Sequence, residues 1–277
     1  MQPRPRRWAR PRHVCCRDEA SFGLSMLLIT RPASEAARWV DDLRAAGVDA
    51  VALPLIAIAP LEDPAPLQAA WRRLSGYDAL MFVSAAAVEH FFRGIDLPLP
   101  ARLRFWATGP GTVRGLHAAG VPPAAIDAPP ADAAQFDSEQ LWARVADQVR
   151  PGVRILIVRG GDATGQATGR DWLAREILAQ GGACDAVAAY RRLPPPFGEA
   201  ERRLAAEGAS GAAAWLFSSS EAIANLCRLM PAADWQQARA LVTHERIAEA
   251  ARAAGFGRVE VSRPSLSALV ASIESLA

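Results

Sequence analysis

The 277-residue chain contains no lysine; all 31 of its basic residues are arginine. A Schiff-base lysine, a pyridoxal-phosphate anchor and the lysine of a Walker-type phosphate loop are therefore excluded. Aromatic residues are scarce at 7%, and only two of them are tyrosine, Tyr77 and Tyr190. The cysteines Cys15, Cys16, Cys184 and Cys227 form no CxxC or CxH spacing, which argues against a zinc site. The histidines His13, His90, His117 and His244 form no HExxH or other metal spacing. No apolar run approaches the roughly 18 residues that cross a bilayer, and no secretory h-region is present. No GxGxxG follows a strand: TGPGTVRG (108–115) has glycines at the wrong spacing, so the dinucleotide fingerprint is missing. GxSxG is missing too, and with it the α/β-hydrolase nucleophile elbow. No aspartate cluster suggests a magnesium site. Neither metal nor cofactor is expected. Any chemistry must run on hydroxyls, arginines, backbone dipoles and a tyrosine.

What is present describes a globular protein. Hydrophobic residues make up 51% and charged residues 22%, enough to bury a core and, at this length, to build about two domains. The net charge of +2 is unevenly spread. Residues 1–25 hold six arginines against Asp18 and Glu19, so the remainder is slightly acidic. That balance does not support a nucleic-acid footprint. The first 25 residues read as a disordered basic extension, or as translated sequence upstream of a start at Met26, which directly precedes the first apolar run; a phosphate-binding arm is the alternative. With no export signal, the expected compartment is the reducing cytoplasm, with free thiols.

From residue 26 onward, short apolar runs alternate with amphipathic stretches. The runs are LLIT (27–30), VALPLIAI (51–58), ALMFV (79–83), RFWAT (104–108), RILIVR (154–159), AVAAY (186–190), AAWLF (213–217), RALVT (239–243) and VEVS (259–262). Stretches such as EAARWVDDLRAAG and RIAEAARAAG have helical periodicity and end in glycine, a helix stop. Strand and helix in alternation predict mainly parallel sheets flanked by helices. The chain also repeats itself. Gly47 maps to Gly182, VSAAAV (83–88) to SSSEAI (218–223), Thr108 to Thr243 and Gly120 to Gly255, all at an offset of 135, whereas ITR (29–31) maps to IVR (157–159) at 128. The second copy thus carries seven extra residues, most simply in the loop GGDATGQATG. A duplicated α/β unit follows, and tandem units of this kind bind ligands in the cleft between them.

Ligands of parallel sheets bind beyond the carboxyl ends of the strands. The residues there are Thr30-Arg31-Pro32, Ser84-Ala85-Ala86 and Thr108 to Thr112 in the first copy, and Arg159-Gly160-Gly161, Ser218 to Ser220 and Thr243 to Arg246 in the second. Each is a turn leading into a helix, with free N–H groups and the positive end of the helix dipole. Serine and threonine in such places serve equally as helix caps. Six such turns facing one cleft favour an anion site. Tyr190 ends the run AVAAY before Arg191-Arg192. Its phenol stays protonated at neutral pH and can donate a proton; packing against a neighbouring strand would explain it equally well.

These residues also carry a resemblance. LLITRP, VALPLIAI, DALMFVSAAAV, ATGPGTVRGLHAAGV, DSEQL (137–141), ILIVRGG…GRDWLAREILAQGG…YRR, LFSSSEAIANL and the closing IAEAARAAGF…SRPSLSALVASI stand in the order and spacing of the uroporphyrinogen-III synthase family. The chain from 26 to 277 resembles that family; the first 25 residues lie outside the likeness. The resemblance implies two similar α/β domains joined by a two-stranded linker: 26–53 with 193–277, and 63–185, linked through 54–62 and 186–192. It implies a cofactor-independent carbon–oxygen lyase of tetrapyrrole and haem biosynthesis. Such an enzyme closes the linear tetrapyrrole hydroxymethylbilane to uroporphyrinogen III, with loss of water and inversion of ring D. On this reading Tyr190 is the proton donor, and Thr30, Arg31, Ser84, Thr112, Arg159, Ser219 and Thr243 bind substrate carboxylates. The protein is expected to be monomeric, in transient contact with hydroxymethylbilane synthase, with neither nucleic acid nor membrane as partner. Where the family has a GPxT-like second turn this chain reads VTHER, and its 160–169 loop is enlarged. The rival reading is a two-domain α/β protein that binds or senses a small anion without catalysis.

Overall fold

A computed structural model describes residues 26–276 apart from 96, 97, 131, 132 and 134. The expected basic extension, 1–25, lies outside the described residues. The strands fall into two sheets. The first has the order β11 (Arg258–Val261), β10 (Arg239–Val242), β9 (Ala214–Phe217), β1 (Leu27–Ile29), β2 (Ala50–Ala52). The second runs β3 (Ala57–Ala59), β8 (Ala183–Leu193), β7 (Arg154–Gly161), β4 (Ala79–Phe82), β5 (Arg104–Ala107), β6 (Ile126–Asp127). Every pairing is parallel except β3 with β8.

The two orders superpose: β11-β10-β9-β1-β2 corresponds to β6-β5-β4-β7-β8. The sequence repeat therefore does not form one sheet per copy. Each sheet combines the first two strands of one copy with the last three of the other, and β3 adds a sixth strand to the second sheet. The exchange occurs within VALPLIAI. This run reads as a single strand but divides into β2, beside β1, and β3, beside β8. Pro54 interrupts it, having no N–H for a ladder. The crossing segment is pinned by Leu55 N–H to Thr30 O (3.2 Å) and by Asn225 Nδ2 to Leu55 O (2.7 Å).

Side chains alternate between faces, and both faces are buried, as a parallel sheet demands. In the first sheet Leu28, Trp215, Phe217, Ala240 and Val242 face one core, which Ala205, Ile223, Leu226, Ile247 and Phe256 complete. Leu27, Ile29, Ala214, Leu216 and Leu241 face the other, against Ala36, Val40, Leu43 and Leu269. In the second sheet Leu80, Phe82, Phe105, Leu156 and Val158 oppose Val88, Phe91 and Leu116, while Met81, Trp106, Ile155 and Ile157 oppose Leu141, Val145, Leu173 and Ile177. The helices needed for the site are α1 (Ala33–Ala45), α3 (Ala85–Phe92), α4 (Pro110–Ala118), α5 (Ser138–Val145), α6 (Trp172–Ala179), α7 (Glu199–Ala209), α8 (Ser220–Leu229) and α9 (Glu245–Ala253). No helix among the described residues is long and apolar enough to cross a membrane.

Candidate active site

The carboxyl ends of both sheets open onto one cleft of about 510 Å³. Its rim is made of helix starts. Ser84 caps α3 by accepting from Ala87 N–H (3.1 Å), and Ser219 caps α8 by accepting from Glu221 N–H (3.2 Å). His244 caps α9 through Nδ1, which accepts from Arg246 N–H (3.1 Å), and Asp137 caps α5 by accepting from Gln140 N–H (2.9 Å). The VTHER turn thus keeps the capping function of a hydroxyl with an imidazole. Gly109 and Thr112 stand at the start of α4. Serine here is both cap and lining, so the two readings of these turns are not exclusive.

Tyr190 lies at the floor. Between β7 and β8 the register breaks: Arg159 faces Ala188, but Gly160 faces Tyr190. The bulge leaves Ala189 over, so Ala189 and Tyr190, adjacent in sequence, both face the same core, which an unbroken strand forbids. The turned phenol reaches 3.3 Å from Ser84 Oγ, and its ring lies 5.5 Å from that of His90. It rests on Gly160, where a Cβ would come within 2.7 Å of Tyr190 Cζ. Burial raises the phenol's pKa, partly opposed by the Ser84 hydrogen bond and the charge of Arg192; Glu35 and Glu221 push it further up. Burial, then the charge of Arg93, lowers the pKa of His90, so a neutral imidazole faces the ring.

Arginine dominates the lining. Arg31, Arg159 and Arg192 lie deep; Arg38, Arg114, Arg170 and Arg246 stand around them, against Glu35, Asp137 and Glu221 as the carboxylates among the described residues. Arg31 donates to Glu35 (3.1 Å) and lies over the Trp39 ring at 4.8 Å. Arg159 donates to Asp171 (3.1 Å), and Arg170 holds Glu139 with two hydrogen bonds. The Nε–H groups of Arg31, Arg159 and Arg192 are buried without a hydrogen-bond partner. Buried orphan donors are rare in native proteins and carry a desolvation cost.

Of the residues picked out by sequence, Arg31, Ser84, Thr112, Arg159, Tyr190, Ser219 and Thr243 all line this cleft. Thr30 does not, and that expectation is corrected. Its hydroxyl donates to Leu216 O at 2.7 Å and the residue is 1% exposed, so the group is spent on joining β1 to β9. Arg192 was missed, although it follows Tyr190 by two positions and so belongs to the same strand face. The enlarged loop also enters the site, supplying Thr168 and Gly169, with Arg170 directly behind it. Among the described residues, no group of three or more His, Cys, Asp and Glu side chains is placed to hold a metal ion.

The comparisons agree with this architecture. The family model described as uroporphyrinogen-III synthase HemD matches residues 37–271. A curated uroporphyrinogen-III synthase of Chlorobaculum parvum is 29% identical over 188 residues, covering 65% of this chain and 68% of the relative. One of Synechococcus elongatus is 26% identical over 214 residues, covering 76% and 77%. Among solved structures, a mutant uroporphyrinogen III synthase of Thermus thermophilus has the same fold at TM-score 0.54 and 16% identity, covering 90% of this chain and 97% of that one. The uroporphyrinogen-III synthetase of Helicobacter pylori aligns at TM-score 0.52 and 14% identity, covering 92% and 100%. The family match takes in every strand but β1 and every turn of the cleft except the one after β1: the chain belongs to the uroporphyrinogen-III synthase family.

Proposed function

We propose that the cleft closes hydroxymethylbilane to uroporphyrinogen III, eliminating water and inverting ring D, with Tyr190 as proton donor. The observation that carries the assignment of roles is the buried phenol of Tyr190, bonded to Ser84 and aimed into an arginine-lined cleft. The substrate is a flexible polycarboxylate whose ends must meet. Arg31, Arg159, Ser84, Thr112, Ser219 and Thr243, together with the N–H groups of the helix starts, hold its carboxylates, and the gain is chiefly one of proximity. Loss of hydroxide from the terminal carbon is slow unless the oxygen is protonated as it leaves. A phenol that burial keeps protonated supplies that proton without competing bulk water. The walls then favour the spiro route at ring D over direct closure by fitting its transition state. The same reading divides the chain into 26–53 with 193–277 and 63–185, joined by 54–62 and 186–192. It has the protein act as a cytoplasmic monomer that receives substrate in transient contact with hydroxymethylbilane synthase.

The test is an isomer assay on the full chain, with hydroxymethylbilane generated in situ and the oxidised products separated. Predominant type III product is expected. Type I alone from folded protein would sink the proposal, since that is the product of unassisted closure. Tyr190→Phe should lower the rate about 100-fold, in the range of a lost general acid. Full activity in that variant would remove the phenol from the mechanism.

A further inference from the structure

Arg192 has no role in the scheme above, yet it is the side chain best placed to influence the donor. It stands two residues beyond Tyr190 on β8. Its Nη2 donates to Thr168 Oγ1 (2.7 Å) in the enlarged loop, on the wall of the second sheet. Its Nε lies 3.1 Å from Glu221 Oε2 at the start of α8, on the wall of the first. That contact is an ion pair without hydrogen-bond alignment, since the same Nε–H is buried and unpartnered. The guanidinium is thus held from both walls. Thr168 belongs to the 160–169 loop, the segment in which the seven extra residues of the second copy are most simply placed.

We propose that Arg192 is the positioning residue of the reaction: clamped between Thr168 and Glu221, its guanidinium fixes a positive charge beside Tyr190 and stabilises the phenolate left when the proton departs. The inference rests on Tyr190 being the donor. In that step the Tyr190 O–H bond breaks and its proton passes to the leaving hydroxyl. The carbon–oxygen bond breaks with its electron pair on oxygen, which departs as water. The phenolate persists beside Arg192 until the cyclised intermediate loses a proton, which restores the phenol. Preorganised charge at the site of developing charge is the most effective form of such stabilisation. The groups facing the phenol are Ser84 and His90 of the α3 segment, Arg192 on its own strand, Glu35 of α1 and Glu221 of α8. Of these, Arg192 alone is cationic, because the pKa of His90 is lowered.

Only two tyrosines are present, so the test can be direct. Tyr190 is titrated through its tyrosinate absorption in the full chain, with the Tyr190→Phe titration subtracted to remove Tyr77. Arg192→Gln should move the phenol to higher pH and lower kcat about tenfold, within the reach of a weakened general acid. Arg192→Lys, which keeps the charge, should recover most of both. Glu221→Gln should move the phenol the opposite way, which a merely structural disturbance would not do. An unmoved titration in Arg192→Gln, or equal losses in the Lys and Gln variants, would overturn the inference. The titration needs no turnover. A wild-type chain that forms only type I product would therefore end the proposed function while leaving the Arg192 effect on the phenol measurable.

Discussion

At the scale of the residue, one glycine and two tyrosines set what can be tested. Gly160 is required by contact, since any Cβ there would meet the Tyr190 ring at 2.7 Å. The ring is the movable partner, so Gly160→Ala should leave the fold intact and turn the phenol away from Ser84. Type III formation should fall about 10- to 100-fold, close to the loss from removing the donor, while thermal unfolding shifts little; near-normal activity would show that the phenol's placement is not critical. Tyr77 donates to Asp185 at 2.8 Å, and its pKa is pushed up to about 12 by burial first and by Asp185 second. An unfolded phenol ionises near pH 10, whereas the folded one keeps its proton to about pH 12. The native state thus binds more protons across that window, and stability should be complete below about pH 10 and fall as pH rises toward 12. Denaturant titrations from pH 8 to 12 (a range of about four units around the phenol's ordinary value) should show that decline, and Tyr77→Phe should make it shallower, leaving the part that the raised Tyr190 phenol contributes.

At the scale of the element, legibility in the sequence followed from whether the deciding contact was local. Strand ends and caps were legible: Ser84 and Ser219 fall where the apolar runs stop, and the constant offset of 135 aligned their turns. Thr30 was misplaced because its hydroxyl is consumed by Leu216, 186 positions away. The bulge that aims Tyr190 depends on Gly160 in the neighbouring strand and has no signature within AVAAY. Arg192 did have one, the spacing of two from Tyr190 along a strand. The exchange of strands between copies came from the family resemblance, not from periodicity. Helix packing adds a stability test of the same kind. Gly208 of α7 lies against Trp215, where a Cβ would approach the indole to 2.4 Å. Trp215 cannot yield, being wedged among Phe217, Trp235 and Phe256 with ring centroids 5.6 to 6.3 Å away. Overpacking of this sort costs about 1–3 kcal/mol. Gly208→Ala should therefore lower the denaturant midpoint with the cleft chemistry preserved, and an unchanged midpoint would mean that α7 can slide away from its sheet.

At the scale of the whole molecule, two ion-pair contacts among the described residues join the sheets across the cleft. Arg192 with Glu221 is one; His244 with Asp137, 3.9 Å apart, is another. The second joins two helix caps. His244 Nδ1 is engaged by Arg246 N–H, so in the neutral ring the proton sits on Nε2 and faces Asp137. With the imidazole protonated the two form a partly exposed ion pair, and such pairs contribute about 0.5 kcal/mol, enough to change an open-to-closed ratio about twofold. The structural cost of removing it can be separated from its bridging role, because asparagine caps a helix as well as any residue but is too short to reach Asp137. His244→Asn should then leave stability unchanged while increasing the radius of gyration of the free protein slightly, and combination with Glu221→Gln should increase it further. Small-angle scattering reads that change directly. Substrate should reverse it, since the arginines of both walls converge on the same carboxylates, and the reversal should weaken as salt screens them over a Debye length of about 8 Å. A radius that no variant or salt concentration alters would mean that the antiparallel β3–β8 pair and the Asn225–Leu55 bond alone fix the two sheets, and that the cleft binds its substrate as a rigid body.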